Sequence, residues 1–148
     1  MVKQFKKRAQ MQLSFGMIFS IILIIAFIAF AFYAIRYFLN LQEETQIKDF
    51  IRTLQGDIDE VWGSTKSNES KQYFLPEKIK RICFEDSEFG NLVLEKDGPR
   101  QRETLNNVDI AKTLSENSGQ RVCIDNIQGK INLNLIKDFR ETLVTITR

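Results

Sequence analysis

Twenty-one consecutive residues, Phe15 to Ile35, read FGMIFSIILIIAFIAFAFYAI and carry no charge. Only Gly16 and Ser20 interrupt their apolar character. At a helical rise of about 1.5 Å per residue they span roughly 30 Å, the thickness of a bilayer's hydrocarbon core. Thirteen of them are Leu, Ile or Phe. At roughly −0.3 to −0.6 kcal/mol each, these contribute about −4 to −8 kcal/mol to insertion. The competing reading is a buried core helix. A domain this small has no room to enclose a helix that is apolar on every face. The stretch is therefore expected to cross a membrane, with the lipid bilayer as its partner.

The formal net charge is +2, and its distribution is uneven. Lys3, Lys6, Lys7 and Arg8 precede the apolar stretch with no acid among them. By the positive-inside rule, that basic tail places the N-terminus in the cytoplasm of a cell-membrane protein and everything beyond about residue 38 outside. Phe32, Tyr33, Tyr37 and Phe38 would form the outer aromatic belt. Past Ala9 no strong basic patch remains, so nucleic acid is not an expected partner.

A removable secretory signal has an apolar core of about 7–15 residues, shorter than this one, although Ala29-Phe30-Ala31 matches its small-x-small cleavage pattern. A second pattern lies upstream, where Lys7-Arg8-Ala9 is followed by Gln10-Met11-Gln12-Leu13-Ser14-Phe15 and then the apolar run. This resembles the leader of type IV pilin-like proteins of the archaeal kind. The resemblance implies a cut between Ala9 and Gln10 on the cytoplasmic side, with the apolar helix kept at the new N-terminus. It also implies self-association, or association with other pilin-like subunits, through that helix. One position departs from the pattern: the fifth mature residue is Ser14, where such proteins usually carry glutamate. Basic, small and polar residues before an apolar run also occur in plain signal anchors.

Beyond the membrane stretch the apolar residues recur at Ile47, Phe50, Ile51, Leu54, Ile58, Val61 and Trp62. Spacings of three and four make a single helical stripe. Lys48, Asp49, Arg52, Asp57, Asp59 and Glu60 fill the other face. Gly63 is a natural stop. The expected helix runs from Gln10 to Trp62 without a break, and its apolar stripe covers the chain's own head. The pilin resemblance implies the same division of labour: a membrane half, then an outer half that covers a β-sheet. The sequence divides accordingly into a basic leader (1–9), a transmembrane and stalk helix (10–62) and an extracytoplasmic β-rich head (63–148).

Ser64 to Lys71 reads as a polar loop, and Asn68-Glu69-Ser70 within it is a glycosylation acceptor pattern. Strands are expected at Gln72–Leu75, Lys78–Glu85, Asn91–Lys96, Gln120–Asp125, Lys130–Leu135 and Thr142–Thr147. Asp97-Gly98-Pro99, Gly129 and Asp138–Glu141 supply turns. One short helix is expected at Asn107–Glu116, with Val108, Ala111 and Leu114 on one face. The expected fold is α+β: a long N-terminal helix on a small antiparallel sheet of four or five strands. Arg81-Ile82-Cys83-Phe84-Glu85 parallels Arg121-Val122-Cys123-Ile124-Asp125. Strand periodicity puts each Cys on one face with an Arg and an acid. If the two strands are neighbours, Cys83 and Cys123 meet. On the oxidising side of a membrane they would form a disulfide, and in a reducing compartment two buried thiols.

The chain has no histidine, which excludes His-based triads and His-rich metal sites. It has no glycine-rich phosphate loop, and its carboxylates are scattered over polar faces. No enzyme activity, cofactor or metal is expected. Two function classes remain: a pilin-like structural subunit of a surface filament or pseudopilus-type assembly, and an uncleaved signal-anchored protein with a small extracytoplasmic binding or accessory domain.

Overall fold

The structure, a computed structural model, describes residues 15–117 and 119–148. The fold is α+β, a long N-terminal helix followed by antiparallel sheets. Helix α1 (Phe15–Gly63) is followed by β1 (Ser67–Phe74), β2 (Ile79–Glu85), β3 (Leu92–Lys96), β4 (Gln101–Glu103), α2 (Ile110–Glu116), β5 (Arg121–Asp125), β6 (Lys130–Lys137) and β7 (Thr145–Thr147). The chain divides into two compact units, one ending at Leu41 and one spanning Gln42–Arg148. The outer half of α1 thus clusters with the head.

In the first unit, the α1 residues from Phe15 to Leu41 expose their side chains all round. This part contains a span long and apolar enough to cross a membrane, with a mean hydropathy of 2.9 in its most apolar window. Ser20 donates its hydroxyl to the Gly16 carbonyl at 2.8 Å, so the polar group inside the span is satisfied by the helix itself. Tyr33 and Tyr37, one turn apart, stack with ring centroids 6.4 Å apart.

The second unit has a single core. Ile47, Phe50, Leu54, Ile58 and Val61 of α1 are buried in it, as their spacing predicts. Ile51 packs at its margin. Trp62 remains 45% exposed and instead donates its indole N–H to the Thr142 carbonyl at 2.9 Å. The other side of the core comes from two sheets, ordered β1-β6-β7 and β4-β3-β2-β5. Tyr73, Ile131, Leu133, Leu135 and Ile146 line it from the first, and Ile82, Phe84, Leu92 and Leu94 from the second. Gln55 fastens α1 to the loop before α2: its amide oxygen accepts the Asn106 N–H at 2.8 Å.

Among the described residues, seven strands in two sheets replace the expected single sheet of four or five. Residues 67–71, read as loop, are the first half of β1, paired along their length with β6 from Ser67↔Lys137 to Phe74↔Lys130. The short β4 had no sequence signal. Helix α2 begins at Ile110 rather than Asn107, because Asn107 adopts a left-handed φ of 63° and Asp109 caps the helix by accepting the Lys112 N–H at 2.8 Å. Its buried residue is Thr113, while Ala111 is exposed and Leu114 half-buried. The Thr113 hydroxyl accepts the Ile146 N–H of β7 at 3.0 Å. That contact replaces a missing strand neighbour with a side chain, which apolar periodicity does not encode. The β5–β6 connection is a two-residue turn through Gln128 and Gly129, both at positive φ, with Ile127 and Lys130 exchanging backbone hydrogen bonds.

Candidate functional site

Ala9 and Gln10, the expected leader cut, lie outside the described residues. The other site residues singled out in the sequence lie in the second unit, which presents three surfaces of interest.

The first surface is the outer face of the four-stranded sheet. Cys83 and Cys123 are directly opposite each other on β2 and β5 and form a disulfide. Cys83 is fully buried. The matched flanking residues also pair across the strands: Arg121 with Glu85 at 3.1 Å and Arg81 with Asp125 at 3.7 Å. Glu95 of β3 gathers three guanidinium groups, from Arg121 (2.9 Å), Arg81 (3.4 Å) and Arg100 (3.4 Å). Arg102 of β4 reaches Glu85 at 3.2 Å. The register places Arg121 opposite Glu85 and Glu95 opposite Arg81, four residues along β2 and on its far side. Arg121 therefore reaches diagonally across the Cys83 row to Glu95. Glu95, Arg100 and Arg102 were not anticipated. Glu95 lay in an expected strand, and Arg100 and Arg102 had no signal.

The second surface is where β1 meets the polar side of α1. Tyr73 is buried and edge-on to Phe50, with ring centroids 5.7 Å apart. Its phenol donates to Asp57 Oδ2 at 2.8 Å, and Lys71 Nζ donates to Asp57 Oδ1 at the same distance. Glu69 (3.0 Å) and Glu60 (3.6 Å) complete the ring around Lys71. Burial, and then the hydrogen bond to Asp57, push the Tyr73 phenol well above its ordinary value. Hydrogen bonds to Asp57 and then Glu69 raise the Lys71 ammonium likewise. This arrangement holds α1 onto β1 with charge-assisted bonds.

That clamp has a pH signature. A free phenol ionises near pH 10. Folded Tyr73 keeps its proton, so its contribution to stability is full below about pH 10 and declines above it, once the unfolded chain can release that proton. Unfolding free energy measured against pH should fall less steeply above pH 10 in Tyr73→Phe, by about one proton's linkage, ~1.4 kcal/mol per pH unit. Equal slopes would mean that the phenol ionises in the native head.

Asn68 lies on β1 itself, paired with Ile136, and its side chain is exposed. It shares the outward face of β1 with Ser70, Gln72 and Phe74.

The third surface is a groove of about 330 Å³ between α1 and the end of β1. Gln46, Asp49 and Thr53 line it from the helix, and Phe50, Tyr73 and Phe74 supply aromatic walls. Phe74 is 66% exposed. Its volume is at the small end of the range for ligand pockets, ~300–1,000 Å³, which suits one or two side chains. The groove was not anticipated, because its walls come from elements with separate sequence patterns.

No family model, no curated protein and no solved structure matches this chain.

Proposed function

We propose that the chain is a single-pass, membrane-anchored, pilin-like structural subunit of a surface filament or pseudopilus-type assembly, with its N-terminus cytoplasmic and its head outside. The observation that carries this reading is the division within α1. One helix presents an uncharged apolar span and then an amphipathic stripe that enters the core of a β-rich, disulfide-bonded head. Lys7-Arg8-Ala9 before Gln10 adds the means of maturation. Each retained cation would cost about 2.5–3.5 kcal/mol at the bilayer centre, so removing the tail lowers the barrier to drawing the helix out of lipid. The disulfide supports an outer, oxidising location for the head.

The mature protein is expected to start at Gln10, and replacing Ala9 with a bulky residue should abolish both maturation and assembly. Intact mass and N-terminal sequencing of the protein from membranes check this. Ser14 favours a second reading, an uncleaved signal anchor carrying a binding or accessory domain, since it stands where pilin-like subunits usually carry glutamate. A mature terminus at Met1 or Val2 on a monomeric protein would establish that reading and refute the first.

A further inference from the structure

The two ends of the three-stranded sheet carry complementary features. At one end lies the α1–β1 groove, with Phe74 exposed and with Asp49, whose carboxylate has no partner among the described residues. At the other end lies the turn Asp138–Glu141 that follows β6. There Phe139 is 73% exposed and the Arg140 guanidinium has no partner among the described residues. β1 pairs with β6 from Ser67↔Lys137 to Phe74↔Lys130, so the two features are separated by the length of β1, about 24 Å.

We propose that the Asp138–Glu141 turn of one copy docks into the α1–β1 groove of a second copy, Phe139 against Phe74 and Arg140 toward Asp49. This rests on the subunit reading above and extends it to a contact between heads. The turn is preorganised for the role. The Glu141 N–H donates to the Asp138 carbonyl at 3.0 Å, the Glu141 carboxylate accepts the Asp138 N–H at 3.3 Å, and Lys112 of α2 pairs with Glu141. The backbone that displays Phe139 and Arg140 is therefore already ordered, and docking orders only their side chains. The groove matches them chemically. Aromatic walls receive a ring and the stem of a guanidinium, and a carboxylate receives its head. Arg52, the next basic residue along α1, does not line the groove.

The symmetry follows from the placement at opposite ends once the copies run parallel, as the subunit reading has them. Parallel copies can join turn to groove only head to tail, a heterologous contact that propagates into an open chain unless the rotation closes a ring, whereas an antiparallel pair would close on itself as a dimer. The contact is also small. A stable pairwise interface buries above about 1,000 Å², more than one turn in a groove of this size supplies. It therefore acts only where copies are already concentrated, as neighbours in an assembly are, and there a weak contact sets register.

The test uses the full chain in its native membranes, with a photo-crosslinking benzoylphenylalanine in place of Phe139. Irradiation should link this position to a peptide of a second copy containing residues 46–53 or 72–75. Arg140→Asp or Asp49→Arg alone should lower the yield about tenfold, and the two together should restore it. Both positions are exposed, and disulfide formation verifies folding of each variant. Assembled copies whose crosslink maps elsewhere, or whose yield ignores the charge reversals, overturn the head contact and leave the subunit reading intact. A chain that remains monomeric overturns the subunit reading and the contact with it.

Discussion

Replacing Cys83 and Cys123 together with alanine should lower the unfolding free energy of the head by about 4 kcal/mol. The bond closes a segment with a sequence separation of 40. In the chain-entropy model, freeing a loop of that length gives the unfolded state this advantage. Against a typical domain stability of about 5–15 kcal/mol, the loss is a large share. Urea unfolding of the detergent-solubilised chain, compared between the parent protein and the double variant, reads it directly. A loss under about 1 kcal/mol would mean that the cross-strand ion pairs hold β2 and β5 together without the bond. The double variant matters, since a single replacement leaves a thiol beneath Arg121 and adds a second effect.

Leu54→Ala should cost about 3–4 kcal/mol, within the ~2–5 kcal/mol range for truncating a fully buried leucine. Leu54 is fully buried at the middle of the α1 stripe, between Phe50 and Ile58. Leu54 belongs to the core that residues of both sheets line, so its truncation leaves a cavity there that the surroundings fill only in part. Thermal unfolding followed by far-ultraviolet circular dichroism checks the loss. The exposed neighbour Thr53→Ala is the control and should stay within about 0.5 kcal/mol.

What was legible in the sequence follows from where the physics is local. The α1 stripe could be read because each of its apolar positions faces the same core. The Cys83–Cys123 pair could be read because two strands repeat one pattern, and matched strands place matched residues opposite each other. The first half of β1 could not be read. Its inward positions Ser67, Glu69 and Lys71 are polar because they meet the polar side of α1, where Asp57 and Glu60 receive Lys71. An alternation between two sets of polar residues carries no hydrophobic signal. The division into two sheets was equally hidden, since β1 reaches across the whole head sequence to pair with β6. For the candidate site, the carboxylates and arginines around the disulfide were half legible through their strand periodicity. The groove was not legible, because Asp49 on a helix and Phe74 on a strand meet only after folding.

β1 ends its sheet, so one row of its backbone donors and acceptors faces no strand. A bare edge of eight residues is ordinarily an invitation to aggregate. Here Lys71 points inward from that edge and is committed to Asp57 and Glu69. A foreign strand laid alongside would have to bury that cluster or strip the lysine of its carboxylates, and each adds a desolvation cost to the pairing. At the β1 edge, heads set side by side are therefore discouraged from zipping their sheets into one continuous ribbon.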